Sequence, residues 1–164
     1  MRHIAGTANR DSVILFINNM FIEIEVIKRN NLEIVALAKK GADLIAELKN
    51  YIGRALPADF RLDCETPHKL QYMYFGYTLI FRVTIDYNHS SADGFIRAYY
   101  LSNGPEPVET YTLVAVRFDK LGNVTLNDDS NNTHKYSPNE FSQPFISKVF
   151  GGIIGTGKSI ILKP

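Results

Sequence analysis

The sequence predicts an α+β fold: an N-terminal helical segment, an antiparallel β-meander of about five or six strands, and a C-terminal helix. Apolar residues recur every three or four positions in the first third of the chain and every second position from Asp59 onward. The first spacing is typical of a helix with one buried face and the second of β-strands. Strands joined by short connectors pair antiparallel, because parallel neighbours need a long crossover. We expect residues 1–164 to form a single globular domain.

The first third carries two apolar stripes, one on each side of Asn30-Asn31. Asp11 or Ser12 supplies an N-cap, and Pro57 ends the segment because it cannot continue a helix. The two asparagines interrupt the apolar run, so we expect either one bent helix or a helical hairpin. The stripes consist of Val13, Ile17, Met20, Ile24 and Ile27, and of Ile34, Leu37, Ala38, Ile45, Leu48 and Ile52.

Six later segments combine two-residue alternation with residues that favour strands. The connectors between them are rich in Pro, Gly, Asn and Asp, which are turn formers. The predicted strands are Phe60–Glu65, Lys69–Phe75, Tyr77–Tyr87, Phe95–Ser102, Thr110–Asp119 and Asn123–Asn127.

The C-terminal quarter predicts a polar loop over Asp128–His134 and then a helix. Ser137-Pro138-Asn139-Glu140 combines an N-cap serine, a first-turn proline and a glutamate at the third position. Gly151-Gly152 is the expected stop. The segment Gly152–Ser159 also matches the phosphate-loop pattern, but only five residues follow it, whereas that loop must lead into a helix. We interpret the match as fortuitous and expect no cofactor.

Composition narrows the class of protein. The formal net charge is +1, which lacks the surplus of Lys and Arg on which nucleic-acid binding depends. Cys64 is the only cysteine, so neither an internal disulfide nor a cysteine-based zinc cluster can form. The apolar stretch Val13–Ile27 is interrupted by Asn and Glu and is too short to span a bilayer. We expect a cytoplasmic protein without membrane contact.

The alternation also predicts a sheet with one helix-covered face and one face rich in arginine and tyrosine. The odd positions of Tyr77–Tyr87 are all apolar or aromatic, which places its even positions on the other face. Such a face suits an acidic protein partner or, less well, a nucleic acid. The plain alternative is that the arginine stems cover apolar neighbours while their heads reach water. The predicted partner-binding residues are Arg82, Arg97, Tyr99, Tyr111 and Arg117.

No convergent catalytic set, metal-ligand cage or cofactor motif stands out, so we expect a non-catalytic binding protein of the inhibitor, immunity or adaptor type. The alternative from another class is an enzyme or small-ligand protein with a pocket between helices and sheet, lined by His68, Tyr72, Asp86 and His89. A homodimer is compatible with either function.

Overall fold

The computed structural model describes residues 8–74, 77–88, 90–102, 110–128 and 130–155; within these ranges the side chains at 8–24, 26–27, 102, 110–112 and 154–155 lie outside the description. In the described residues, helix α1 is followed by seven strands and helix α2. The α+β class is confirmed, with one strand more than predicted. No helix in the described part of the chain is both long and apolar enough to cross a membrane.

Helix α1 runs without a break from Ala8 to Ala55, so the helical hairpin is excluded. The predicted interruption at Asn30 does not occur. Its side chain is buried and its Nδ2 donates a 2.9 Å hydrogen bond to the backbone oxygen of Asn88. This tertiary contact satisfies the Nδ2 donor of Asn30, so that donor does not compete with the backbone of the helix.

The seven strands form one antiparallel sheet in which every strand pairs with its neighbours in sequence. This is the predicted meander. The strands are β1 (Arg61–Thr66), β2 (Lys69–Tyr74), β3 (Tyr77–Tyr87), β4 (Ala92–Ser102), β5 (Thr110–Phe118), β6 (Val124–Asn127) and β7 (Thr133–Tyr136).

Both helices cover one face of the sheet, which we call the inner face. In α1, Leu44 and Leu48 are buried, and across the core Phe81 of β3 packs edge-on against Phe145, with ring centroids 5.9 Å apart. Burying each of these side chains contributes roughly 1.5–3 kcal/mol before entropy is subtracted. Helix α1 lies close to the sheet at Gly41, where an added Cβ would lie 2.6 Å from Val83 Cγ1.

The C-terminal elements differ from the sequence prediction in two ways, an additional strand and the bounds of the last helix. The sequence predicts a loop over residues 128–134, but Thr133–Tyr136 forms β7, which the exposed polar sequence gives no reason to expect. Helix α2 runs from Ser142 to Gly155, not from Ser137 to Gly151. Ser137 and Glu140 instead close a turn, in which Ser137 Oγ donates to Glu140 Oε2 over 2.7 Å. Gly151 and Gly152 lie within α2 rather than ending it. A Cβ added at Gly152 would lie 3.6 Å from Leu113 Cδ2, so this turn of the helix runs close to β5.

Candidate interaction surface

The sheet face opposite the two helices, which we call the outer face, carries its side chains in rows that cross the strands. The register sets Lys69 opposite Arg82, and Arg82 opposite Arg97. Three basic residues therefore stand side by side on β2, β3 and β4. Like charges at directly opposed positions repel each other, so a nearby carboxylate or an external anion would stabilise this row.

Arg97 is neutralised within the protein. Its Nε donates to Thr84 Oγ1 over 2.8 Å, and a terminal nitrogen forms a 2.8 Å ion pair with Asp86 Oδ2. The guanidinium carbon also lies 4.8 Å from the ring centroid of Phe95. With only 27% of its side chain exposed, Arg97 is held in one position. It is a fixed part of the surface rather than a free charge.

Arg117 occupies the same face, because it pairs with Phe95, two residues from Arg97. Its side chain is 62% exposed and forms an ion pair with Asp93. An exposed pair of this kind contributes on the order of 0–1 kcal/mol. Arg117 can therefore exchange Asp93 for another carboxylate at low cost.

Arg82 and Lys69 differ from these two arginines. Neither makes an ion pair with any residue that the structure describes. Arg82 is exposed and Lys69 is half-buried. These two adjacent positive charges lack an internal counter-charge in the described structure, which makes them the part of the outer face best suited to an external anionic group.

The two tyrosines of the predicted surface, Tyr99 and Tyr111, lie next to a β-bulge in the pairing of β4 with β5. Tyr99 is half-buried and stands opposite Ile80, in the row next to the basic one. The register shifts between Ala98 and Tyr99, so Thr112, not Tyr111, stands opposite Tyr99. Tyr111 is opposite Tyr100 instead. The simple alternation that assigns Tyr111 to the outer face does not allow for the extra residue on β5.

His68, Tyr72 and Asp86 of the alternative pocket are not brought together. His89, its fourth residue, lies outside the described residues. Tyr72 is buried on the inner face, where its ring stacks on Phe60 with centroids 4.7 Å apart. Burial and the nearby Glu65 carboxylate raise the pKa of Tyr72 to about 12, so it remains protonated at neutral pH. Asp86 lies on the outer face, and His68 donates from Nε2 to the backbone oxygen of Ala38 over 2.9 Å.

The grooves in the described structure lie elsewhere. One, of about 650 Å³, separates β5 and β6 beside α2 and includes Leu113, Leu126 and Lys148 in its lining. Another, of about 450 Å³, adjoins the β5–β6 turn, where Asp119 faces Lys135. Within the described ranges, no three His, Cys, Asp or Glu side chains are grouped as a metal site would require. Lys158 and Ser159 of the phosphate-loop pattern fall outside those ranges, while Gly152 lies within α2.

Neither protein-family models, nor curated proteins, nor solved structures give a match to this chain.

Proposed function

We propose that this protein is a non-catalytic binding protein of the inhibitor, immunity or adaptor type, and that its outer face binds an acidic surface of a protein partner. The observation that carries the proposal is the row formed by Lys69, Arg82 and Arg97. Only Arg97 of these three has a carboxylate partner among the described residues. An acidic group on another protein would relieve the repulsion within the row.

Apolar neighbours support a protein partner. Ile80 and Tyr99 are half-buried in the row next to the basic one, so a partner that reaches Arg82 also covers apolar surface. Interfaces commonly combine arginine and tyrosine in this way, because both carry apolar area together with polar groups. Cys64 is exposed and free, which fits a reducing compartment, and we place the protein in the cytoplasm.

The test is a reversal of charge at Arg82. We expect Arg82→Glu to lose the partner that the wild type captures from native lysate, because a carboxylate would then face the partner's carboxylates. Arg54→Glu is the matched control: it is exposed on α1, makes the same charge change, and among the described contacts donates to the backbone oxygen of Asn50 alone. Equal capture by both variants would refute the proposal.

The double variant Arg82→Glu/Arg117→Glu extends the test across the face. Because Arg117→Glu also breaks the pair with Asp93, its stability has to be measured before its binding. A partner retained by this folded variant would exclude the outer face.

A nucleic acid is the alternative anionic partner, since Lys69 and Arg82 lie beside Tyr99. Salt dependence separates the two: counterion release makes nucleic-acid affinity fall steeply and log-linearly with salt. Capture that nuclease treatment abolishes would replace the protein partner with a nucleic acid.

A further inference from the structure

Helix α1 exposes apolar side chains on the side that faces away from the sheet. Leu32 and Val35 are 75% and 67% exposed, whereas Leu37, two residues further on, is 1% exposed. Because each residue turns an α-helix by about 100°, Val35 and Leu37 point to nearly opposite sides. Two adjacent large apolar side chains, one turn apart, are thus left in water beside a well-packed core.

Among the α1 residues whose side chains the structure describes, the first polar contacts with the sheet turns are at Asn30 and Glu33. The Asn30–Asn88 hydrogen bond and the 2.7 Å pair between Glu33 and Lys120 fix α1 to two sheet turns, after β3 and after β5. The turns of α1 from Ala8 to Arg29 precede this point and rise about 33 Å. The helix therefore continues about 33 Å beyond these two described contacts.

The exposed pair continues an apolar line of positions along this extension. From Ile17 to Val35 the helix makes five full turns, which aligns the two positions. Relative to this direction Ile24 deviates by about 20°, Phe21 by about 40°, and Ile14 and Leu32 by about 60°. We call this line the seam. It consists of Ile14, Ile17, Phe21, Ile24, Leu32 and Val35. Lys28 is the charged position within it.

We propose that the seam pairs in antiparallel orientation with the seam of a second copy of this chain. Centring the pair between Ile24 and Glu25 places Ile17 opposite Leu32 of the other copy and Ile14 opposite Val35. The described, exposed residues of each copy are then covered by the start of the other copy's helix. This two-fold arrangement is isologous and closes as a dimer.

The charge at Lys28 selects the antiparallel orientation. A parallel pair in register would set Lys28 against Lys28 of the other copy, which is unfavourable at a helix interface. In the antiparallel pair Lys28 stands opposite Phe21, where an ammonium can lie over an aromatic ring. Within its own chain Lys28 has only an exposed, 3.5 Å pair with Glu25 among the described contacts.

The area is sufficient for a stable pair. Six apolar side chains from each copy, at on the order of 100 Å² each, bury roughly 1,200 Å² in total, which reaches the lower limit for specific interfaces. A second copy of the chain necessarily presents an apolar helix face of the same length as the seam, whereas an unrelated partner need not.

Light scattering after size exclusion tests the pairing on the full chain. The protein concentration is set at about ten times a micromolar dissociation constant, so that a dimer of that affinity is populated. We expect twice the mass of one chain for the wild type and for Leu121→Glu, a matched control with a 74% exposed leucine at the β5–β6 turn. Leu32→Glu/Val35→Glu should give the mass of one chain with an unchanged far-ultraviolet spectrum. A monomeric wild type would overturn the proposal, even if that monomer binds lipid vesicles or a different protein. A double variant that remains dimeric would also overturn it.

Cross-linking tests the orientation. In a Cys64→Ser background, mixed Ile17→Cys and Leu32→Cys chains should form a disulfide between copies on oxidation, because facing helical positions bring Cα atoms to within about 7 Å. Ile17→Cys alone should remain uncrosslinked. A disulfide between two Ile17→Cys copies would overturn the antiparallel arrangement.

Discussion

The close approach of α1 to the sheet at Gly41 predicts opposite effects for two glycine-to-alanine changes in the same helix. At Gly41 a new Cβ would lie 2.6 Å from Val83 Cγ1 and 3.2 Å from Phe118 Cζ. At Gly53 nothing lies within 4 Å of the added atom. The two substitutions are chemically identical, so helix propensity acts in the same direction in both and packing distinguishes them.

The magnitudes decide the sign. Alanine is favoured over glycine in a helix by up to about 1 kcal/mol. A methyl carbon at 2.6 Å is roughly 1 Å inside the optimal carbon–carbon separation, and overpacking of this kind costs about 1–3 kcal/mol. Val83 cannot rotate away freely because β-branched side chains are stiff at χ1. We therefore expect Gly41→Ala to lower the free energy of unfolding by up to about 2 kcal/mol, and Gly53→Ala to raise it by up to about 1 kcal/mol.

Urea unfolding followed by circular dichroism measures both differences, at one fixed protein concentration because dimerisation would shift the apparent stability. Adding Val83→Ala to Gly41→Ala removes the atoms that clash, so the pair should be more stable than the sum of the two single changes implies. If Gly41→Ala proves as stable as Gly53→Ala, α1 does not press against β3 at this point, and the close helix–sheet packing described above is wrong.

Two further outcomes follow from polar contacts near the same end of the sheet. Partial burial raises the pKa of Asp119, but hydrogen bonds from Asn123, Lys135 and Leu121 outweigh it and bring the pKa to about 2, below the ordinary value of 3.8. The stability that this provides is present above pH 4 and is lost as the pH falls towards 2. Asp119→Asn should therefore cost up to about 1 kcal/mol at about pH 7, and the difference from wild type in urea titrations should narrow between about pH 4 and pH 2; a constant difference would contradict the assignment. At Asn30 the buried Oδ1 has no hydrogen-bond partner within the described structure, while Nδ2 donates to Asn88. Asn30→Ala should cost no more than about 1 kcal/mol, because it removes both groups, whereas Asn30→Asp should cost at least about twice as much by turning a carboxylate oxygen towards the Asn88 carbonyl. Thermal melts of the two variants measure which of them is less stable. If Asn30→Asp is as stable as Asn30→Ala, the contact between Asn30 and Asn88 is not buried in solution.

The meander was predictable from sequence because each strand carries its own two-residue alternation and each connector its own turn formers. The inner positions of β3 and β5 follow from this directly: Phe81, Val116 and Phe118 are buried as the alternation indicates. Local signals failed where tertiary contacts decided the outcome. Asn30 looks like a helix breaker until its amide meets Asn88, and β7 is too polar to be distinguished from a loop.

The outer face was predictable only in part, because the alternation of side chains between the two sheet faces holds along a regular strand but is shifted by a β-bulge. Arg82, Arg97 and Arg117 share a face as the alternation predicted, since no register shift separates them in the pairing of β3 with β4 and in the second half of β5. Lys69 was missed, although its pairing with Arg82 could have been inferred from the short β2–β3 connector. The pairing of Tyr111 with Tyr100 was not predictable, because a single extra residue on β5 has no signal in the sequence.

The two proposed surfaces leave each other accessible. Leu32 and Val35 lie on the side of α1 away from the sheet, and the outer face lies on the side of the sheet away from α1, so the core separates these two residues from the outer face. A second copy bound along the seam would therefore cover Leu32 and Val35 without approaching Arg82. The antiparallel pair would place one sheet near each end of the paired helices, since each sheet packs on the part of α1 that follows residue 30 of its own chain. Dimerisation would thus present two copies of the basic row, and charge reversal at Arg82 and disruption at Val35 would alter different measurements, partner capture in the first case and mass in the second.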